Sequence, residues 1–327
     1  ICIGPSELHD SYLSIDRNIQ GILSTGAQAV HPGFGFLSEN ADFAQRCKDK
    51  NIIFIGPWPQ AIRDMGDKVV AKRLVEEEKI PTIPGYNGAS QGPEKLALEC
   101  ERIGYPVIIK AAAGGGGRGM KIARSSVEVR ELVASAQREA LSAFGNGHVF
   151  LEKYLDDAKH IEVQVFGDMA GQAVHLYERD CSAQRRHQKV IEESLAIELD
   201  PAIREEITTA AVRLAKKVNY VGAGTVEFLV QNGKFYFMEM NTRLQVEHPV
   251  TELVMGVDWV KDQILTMMSR KALWRQSDLQ PRGHAIECRV YAEDPHTAGV
   301  PSTGTILYQS FPEGPGRRFD YGFEAGD

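Results

Sequence analysis

The chain has 327 residues, more than a single hydrophobic core usually supports, so two or three domains are expected. With 43% hydrophobic and 25% charged residues, its composition is that of an ordinary globular protein. The formal net charge of −7 argues against a general nucleic-acid or anionic-membrane surface, because no overall positive field would gather phosphates. No apolar run approaches the length needed to span a bilayer.

The cysteines are five in number, scattered, and without a C-x-x-C pair: Cys2, Cys47, Cys100, Cys181 and Cys288. This usage argues against a disulfide framework or a zinc knuckle, and it fits a reducing compartment, the cytoplasm or the mitochondrial matrix. The chain opens without methionine, on what reads as the tail of a strand, and stops without a final helix. We therefore interpret it as an excerpt of a longer protein.

Helical patterns and short apolar strands alternate through the first sixty residues. Strands are predicted around 28–30 and 51–55, and their order with a helix between them is typical of a parallel α/β layer. From Pro81 to about Leu155 the pattern predicts a small separate subdomain, built on strands at 105–110 and 148–154.

The second half of the chain predicts a sheet followed by a new domain. Residues 159–167 alternate, so one face of that strand is buried and the other presents His160, Glu162 and Gln164. Further elements are predicted as a helix over 201–218, a hairpin over 225–240, a helix over 258–269 and a strand over 283–292. We predict an α/β and α+β multidomain chain with domains at 1–64, 65–275 and 276–327, the second including a lid at about 82–155.

A glycine-rich run follows the strand at 105–110 and ends at Met120. Glycines let successive backbone N–H groups turn inward and hold phosphate oxygens, and Lys110 would add a positive charge to the same phosphates. The run contains Gly114, Gly115, Gly116, Gly117 and Gly119. It matches neither a Walker A motif nor a dinucleotide fingerprint, and a plain surface loop is the alternative. The adjacent strand and lysine favour phosphate.

Acidic residues interrupt the otherwise apolar hairpin. Glu239 and Asn241 share one face of its second strand, and Glu227 lies on its first strand. If all three share a face, their oxygens suit Mg²⁺ or Mn²⁺ held together with substrate phosphates. The alternative is a solvated polar face, but carboxylates set into an apolar hairpin need a partner.

The turn of the hairpin decides whether the two glutamates meet. A two-residue turn at Asn232-Gly233 would put Glu227 on the face opposite to Glu239. A three-residue loop over 231–233 would pair Val230 with Lys234 and put both carboxylates on one face, diagonally across the hairpin. We predict the three-residue loop.

Two further stretches indicate an anionic substrate. Arg243 could hold a carboxylate-like anion with its planar fork, and Glu247 could act as a general base. The stretch from Arg179 to Lys189 is basic within an acidic chain. It is interpretable either as an exposed basic loop or as a locally positive site for polyphosphate and bicarbonate.

Several ungapped motifs resemble those of the biotin carboxylase family of ATP-grasp enzymes, in the family's order and over nearly the whole chain. They lie at 31–40, 110–120, 152–155, 178–189, 239–252, 284–289 and 292–295. The resemblance implies an ATP-grasp fold with a partial N-terminal α/β (pre-ATP-grasp) layer and the start of a C-terminal biotin carboxylase domain.

The resemblance also implies a role for each matched residue. The implied ATP-binding residues, besides the glycines above, are Lys68, Lys110, Met120, Glu152, Lys153, Leu155, His160, Gln184 and His187. The implied ligands of Mg²⁺ or Mn²⁺ are Glu227, Glu239 and Asn241. Bicarbonate would be surrounded by Lys189, Arg243, Gln245, Val246 and Glu247, and biotin would face Arg289.

These roles imply a ligase that carboxylates carrier-bound biotin with ATP and bicarbonate, through carboxyphosphate. Glu247 would take the bicarbonate proton, and Arg289 would stabilise the enolate-like oxygen of biotin. The implied partners are a biotin carboxyl carrier, a carboxyltransferase and a second copy in a homodimer, with no nucleic acid and no membrane. The sequence does not specify the final acceptor of the carboxyl group.

Family members begin with a further strand–helix segment that carries an Asn-Arg-Gly-Glu motif, and they continue past Asp327. Those parts complete the first sheet, part of the biotin-side pocket and the dimer contact. Two alternatives stand beside this interpretation. One is another bicarbonate-activating ATP-grasp ligase, such as a carbamoyl phosphate synthetase domain, and the other is a non-catalytic nucleotide-binding assembly module.

Overall fold

The computed structural model describes residues 1–111, 120–185, 188–269, 273–294, 296 and 299–327. The glycine run at 114–119 and His187 lie outside the described residues. The chain divides into two units, Ile1–Cys288 and Arg289–Asp327. No described helix is both long enough and apolar enough to cross a bilayer. All five cysteines are free, as their spacing predicts.

The first sixty residues form the predicted parallel α/β layer. β1 (Ala29–Val30) pairs in parallel with β2 (Ile53–Phe54). α1 (Ile15–Ser24) and α2 (Ala41–Asp49) contribute buried side chains to the small core around these strands. The Asn40 side chain caps α2 and thereby fixes where that helix begins.

Two helices follow this layer, α3 (Pro59–Gly66) and α4 (Lys68–Glu77). Asp67 caps α4, because its Oδ1 accepts hydrogen bonds from the backbone N–H of Val69 at 2.8 Å and of Val70 at 3.1 Å. Lys68 is therefore the first residue of the helix, where the backbone N–H groups give the helix end a positive partial charge.

Residues 85–153 contain an antiparallel sheet of four strands in the order β3-β6-β4-β5. The strands are β3 (Gly85–Tyr86), β4 (Val107–Ala111), β5 (Lys121–Ala123) and β6 (Val149–Lys153). Helices α5 (Pro93–Ile103) and α6 (Ser126–Phe144) pack on one face of this sheet and bury its apolar side chains. The alternation of β4 and β6 leaves Lys110, Phe150 and Glu152 on the other face.

The main sheet is antiparallel, with the strand order β11-β10-β7-β8-β9-β12. Its strands are β7 (Lys159–Gly167), β8 (Ala173–Arg185), β9 (Gln188–Ser194), β10 (Gly222–Gln231), β11 (Lys234–Asn241) and β12 (Ala285–Cys288). The predicted strand over 283–292 is thus shorter than expected, and it joins the main sheet beside β9.

The alternation of β7 gives the main sheet two different faces, as predicted. Ile161, Val163 and Val165 are fully buried in the largest apolar core, which includes α7 (Pro201–Lys217). The opposite face of β7 carries His160, Glu162 and Gln164. These side chains are also withdrawn from water, so the polar face is an interior site and not a solvated surface.

The predicted three-residue turn of the β10–β11 hairpin is wrong. Gln231 pairs with Lys234, so the turn has two residues, Asn232 and Gly233, both with positive φ as a type I′ turn requires. The two glutamates nevertheless share a face, because the register shifts next to Glu227.

This shift is a β-bulge in β11. Phe228 pairs with Phe237, whereas Glu227 pairs with Glu239, so Met238 is the extra residue. Without it, Glu227 would oppose Met238 and Glu239 would point into the apolar core. The predicted common face is therefore confirmed, with the glutamates directly opposite each other instead of diagonal.

The chain beyond the hairpin contains α8 (His248–Met255) and α9 (Trp259–Ser269). Trp259 is fully buried and stacks on Phe166 at 5.6 Å between ring centroids, which fixes α9 against the sheet. Short 3₁₀ turns occur at Leu8–Asp10 and Gln276–Asp278. The second unit contains one strand pair, β13 (Glu293–Asp294) and β14 (Val300–Pro301).

The packing of α7 gives a first testable prediction. Leu214 is fully buried in the main core, so Leu214→Ala should lower the free energy of unfolding by about 2–5 kcal/mol. Leu98→Ala is the matched control, because Leu98 is 62% exposed on α5 and its loss should change that energy by less than about 0.5 kcal/mol. Chemical denaturation followed by circular dichroism measures both. Equal effects would contradict the assignment of the core.

Candidate active site

A row of four charged residues crosses the polar face of the main sheet. Arg179 on β8 lies opposite Glu162 on β7, Glu162 opposite Glu227 on β10, and Glu227 opposite Glu239 on β11. Residues opposite each other in neighbouring strands share a face, so one positive and three negative side chains lie side by side. Like charges in such positions destabilise a sheet, and this row therefore requires further cations.

Lys189, on β9, is the cation at the centre of this arrangement. Its Nζ donates hydrogen bonds to Glu227 Oε1 at 2.9 Å and to Glu247 Oε1 at 2.7 Å, and it also contacts Glu162 Oε2. Burial alone would lower the pKa of Lys189, but the three carboxylates outweigh burial and raise that pKa well above its ordinary value. The ammonium group therefore stays charged at any physiological pH.

Glu227 is the most heavily hydrogen-bonded carboxylate of the site. Besides Lys189, its Oε1 accepts from Asn241 Nδ2 at 2.8 Å and from Gln245 Nε2 at 2.9 Å, and its Oε2 interacts with His160 Nε2 at 2.7 Å. Burial would raise the pKa of Glu227, but His160 and Lys189 outweigh burial and hold it well below the ordinary value. Glu227 is therefore a permanent anion.

The imidazole of His160 is oriented by Gln184. Gln184 Nε2 lies 2.9 Å from the carbonyl oxygen of Cys181 and 2.8 Å from His160 Nδ1, so the amide donates to both. With Nδ1 acting as the acceptor, the proton of the ring is on Nε2 and points at Glu227. Burial lowers the pKa of His160, but Glu227 outweighs burial and the net effect is to raise it.

Arg243 joins the site to the N-terminal layer. Its Nε donates to Glu39 Oε2 at 2.9 Å and its Nη2 to Asn241 Oδ1 at 3.0 Å, while the backbone N–H of Thr242 donates to Glu39 Oε1 at 2.9 Å. Val246 is half-buried in the loop that follows. The residues after β11 are thus held from both sides, by the sheet and by Glu39.

The cations predicted for phosphate binding also converge. Lys110 Nζ donates to Glu152 Oε2 at 2.5 Å and lies 5.6 Å from the ring centroid of Phe150. Lys68 Nζ lies 5.6 Å from the same centroid. Two ammonium groups therefore lie over one aromatic ring, which suits a polyphosphate.

The remaining residues predicted to bind ATP lie at the edge of this region. Lys153 is committed to backbone, because its Nζ donates to the carbonyl oxygens of Gly104 at 2.9 Å and Tyr105 at 2.6 Å. Met120 and Leu155 are half-buried, as an apolar wall for a flat base requires. Arg289 begins the second unit, which is described separately.

The facing pair Glu227 and Glu239 has the chemistry of a divalent-metal site. Glu239 is exposed at the edge of the sheet, but partial desolvation and the charge of Glu227 raise its pKa. A divalent cation between the two carboxylates would relieve that repulsion. Asn241 follows on the same face and adds an amide next to the pair. Donors of this kind fit Mg²⁺ or Mn²⁺ and do not favour zinc or copper.

The sequence did not single out Arg179 or Glu39 as site residues. Arg179 begins the basic stretch that could have been an exposed loop, but it is fully buried, so that alternative is wrong for this residue. The alternation of apolar and polar residues along β7 was the sequence pattern that indicated Glu162. Glu39 lies in the 31–40 motif, but that motif implied no role for it, and its partner Arg243 is more than 200 positions away.

Two family models match the chain. The biotin carboxylase N-terminal domain matches residues 1–62, and the ATP-binding domain of the carbamoyl-phosphate synthase L chain matches residues 67–270. Biotin carboxylase of Allochromatium vinosum is 50% identical, over 98% of this chain and 71% of that protein. The mitochondrial methylcrotonoyl-CoA carboxylase subunit alpha of Rattus norvegicus is 51% identical, over 95% of this chain and 44% of that subunit.

Solved structures agree with these matches. Biotin carboxylase from Campylobacter jejuni superposes with a TM-score of 0.88 at 48% identity, over 96% of this chain and 70% of that chain. The biotin carboxylase domain of 2-oxoglutarate carboxylase from Hydrogenobacter thermophilus gives a TM-score of 0.86 at 45% identity, over 95% and 69%. The chain therefore spans only part of each relative, and less than half of the methylcrotonoyl-CoA carboxylase subunit.

The mixed α/β architecture and the matched ATP-binding domain define an ATP-grasp fold, so the predicted fold class is confirmed. Within that class, the chain belongs to the biotin carboxylase family.

The shared lysine gives a second prediction. Lys189→Met would leave three carboxylates together without their cation, so the free energy of unfolding at neutral pH should fall by about 3–5 kcal/mol. Lys159→Met is the matched control, because Lys159 pairs with the exposed Glu198 and its loss should cost less than about 1 kcal/mol. Chemical denaturation at pH 7 compares the two variants.

The pH dependence of this difference has a definite sign. The folded-state pKa values of Glu162 and Glu227 lie below the ordinary value. The ion pairs of these two carboxylates therefore stabilise the fold at any pH above the unfolded-state pKa. This stabilisation is lost as the pH falls through the folded-state pKa values. In Lys189→Met the crowded carboxylates can take up protons as the pH falls. The difference in free energy of unfolding between this variant and the unchanged protein should therefore become smaller below about pH 5. A gap that widens on acidification would contradict the charge assignment.

Proposed function

We propose that the protein carboxylates carrier-bound biotin with ATP and bicarbonate, through carboxyphosphate. The observation that carries this proposal is the position of Lys189, which joins Glu227 of the facing glutamate pair to Glu247. One ammonium group thereby links a site suited to metal and phosphate with a base suited to a small anion. A reaction that transfers phosphate from ATP to bicarbonate requires this adjacency.

Binding of the nucleotide is assigned to the side of the site that faces the smaller sheet. Lys68 and Lys110 would neutralise the phosphates. Glu227, Glu239 and Asn241 would hold Mg²⁺ or Mn²⁺, which when bound offsets charge on the phosphates. His160 and Gln184 would contact the nucleotide beside Glu227.

Bicarbonate is assigned to the side that carries Arg243, Gln245 and Glu247. Arg243 offers a planar guanidinium, and Lys189 adds a second positive charge next to the proposed base. Glu247 would take the proton of bicarbonate, and the resulting oxyanion would attack the γ-phosphorus. The bond from that phosphorus to the β-phosphate oxygen breaks, giving ADP and carboxyphosphate.

Carboxyphosphate then breaks down next to biotin. Its carbon–oxygen bond cleaves to give CO₂ and phosphate, and the phosphate takes the N1 proton of biotin. The N1 nitrogen attacks CO₂ to form carboxybiotin. Water would destroy carboxyphosphate, so closure of the site before phosphoryl transfer is essential.

The ligands of the solved relatives support this assignment. The Campylobacter jejuni enzyme is described in complex with a form of ATP, and the Hydrogenobacter thermophilus domain as a dimer with MgADP and bicarbonate. By analogy we propose a homodimer that works with a biotin carrier and a carboxyltransferase, in the cytoplasm or the mitochondrial matrix. The curated relatives include carboxylases named for methylcrotonoyl-CoA and propionyl-CoA at 51% and 49% identity, so the acceptor is not assigned.

The match to the carbamoyl-phosphate synthase ATP-binding domain supports a second candidate, because a ligase of that kind also activates bicarbonate. The third prediction separates the two. ADP release by the full-length protein should require bicarbonate and increase with free biotin, and ammonia should have no effect. Stimulation by ammonia but not biotin would favour the second candidate, and nucleotide binding without any turnover would favour an assembly module.

The fourth prediction tests the metal ligands. Glu239→Gln should lower bicarbonate-dependent ATP hydrolysis by about 100-fold or more while circular dichroism stays unchanged, because the variant removes one of the two facing carboxylates. Glu198→Gln is the control, since Glu198 is an exposed surface glutamate that pairs with Lys159, and its substitution should leave turnover unchanged. Normal turnover in Glu239→Gln would count against the metal assignment.

A further inference from the structure

Arg179 uses its entire hydrogen-bonding capacity inside the protein. Its side chain is fully buried, and each of its five guanidinium N–H groups has an acceptor. The acceptors are Glu162 Oε1 at 2.6 Å, Gln164 Oε1 at 2.8 Å, Thr251 Oγ1 at 3.0 Å, Gln245 Oε1 at 3.1 Å and Thr225 Oγ1 at 3.4 Å. They come from β7, β10, α8 and the loop that precedes α8.

Two of these acceptors, Glu162 and Gln245, each have a second polar atom that faces the proposed substrate site. Glu162 accepts a hydrogen bond from Arg179 at Oε1 and one from Lys189 at Oε2. Arg179 therefore fixes the carboxylate that helps to position the ammonium group of Lys189. Gln245 accepts a hydrogen bond from Arg179 at Oε1 and donates one from Nε2 to Glu227. Arg179 therefore decides which end of the Gln245 amide faces the site.

We propose that Arg179 is a positioning residue for the bicarbonate side of the site, acting through Glu162 and Gln245. This inference rests on the proposed function. Arg179 acts on the proposed substrate site through Glu162 and Gln245, because each of its own N–H groups already has a protein acceptor, and its effect is geometric. It ties the loop that carries Gln245 and Glu247 to the sheet that carries Glu162.

The guanidinium group is required for this arrangement. Five donors in a fixed plane reach acceptors on four elements, whereas an ammonium group has three donors around one atom. Lysine at position 179 could still pair with Glu162 but could not also hold Gln245 and Thr251. Arg179→Lys therefore keeps the buried charge and removes the positioning.

The test is a comparison of bicarbonate and nucleotide dependence in the full-length protein. Arg179→Lys should raise the KM for bicarbonate and lower kcat, together reducing kcat/KM for bicarbonate by about 10-fold or more. The Kd for MgADP, measured by calorimetry without bicarbonate, should change by less than about threefold, because Lys68 and Lys110 are untouched. If Arg179 had a purely structural role, kcat/KM for bicarbonate and the Kd for MgADP would either both change or both stay the same.

Arg204→Lys is the matched control. Arg204 Nε donates to the buried Glu178 at 2.7 Å in the same sheet-and-helix core, and its partners include no residue of the proposed site. Its substitution by lysine should leave kcat/KM for bicarbonate unchanged. If both arginine variants lose activity to the same extent, general damage to the fold explains the result and the positioning role is overturned.

Thr251→Val keeps the test decisive if Arg179→Lys does not fold. The substitution preserves shape but removes one acceptor of Arg179, so it should raise the KM for bicarbonate by about threefold with an unchanged Kd for MgADP. No change in bicarbonate dependence in a folded variant would overturn the proposal. Absence of bicarbonate-dependent turnover in the unchanged protein would instead overturn the proposed function, and this inference with it.

Discussion

Three carboxylates that share one ammonium group are the interaction on which the rest of the site depends. Glu162, Glu227 and Glu247 come from two neighbouring strands and a loop, and each has an oxygen at Lys189 Nζ. Carboxylates withdrawn from water are costly unless a cation and hydrogen bonds compensate them. All three carboxylates must therefore reach Lys189 Nζ at once. This requirement constrains the strand register, the loop after β11 and the position of β9. The reaction proposed for this site can then use the same charges without reorganising the fold.

The main sheet meets this requirement by separating its two faces. The face of β7 that packs on α7 is apolar, and the face that carries Glu162 is polar yet withdrawn from water. The bulge at Met238 extends the same separation to β11, because it moves Glu239 to the polar face while Met240 stays in the core. One extra residue thereby places a proposed metal ligand without disturbing the apolar packing behind it.

Contacts distant in sequence complete the site. Glu39, from the N-terminal layer, holds Arg243 and the backbone of Thr242, so the loop after the hairpin is fixed by a part of the chain that precedes the main sheet. Arg179 fixes the far end of the same loop through Gln245. A loop held at both ends presents its polar groups in one arrangement, which is the condition for positioning a small anion.

Periodicity was enough to determine the parallel N-terminal layer, the strand over 159–167 and α7, because these depend on patterns local in the chain. The roles of most site residues came from the family resemblance and stay predictions. The common face of Glu227 and Glu239 was also predicted, but from the wrong turn. A bulge depends on how β11 packs against its neighbours, and the sequence of the hairpin does not reveal it. The burial of Arg179 and the pairing of Glu39 with Arg243 were decided by tertiary structure alone, since each depends on elements that only folding brings together.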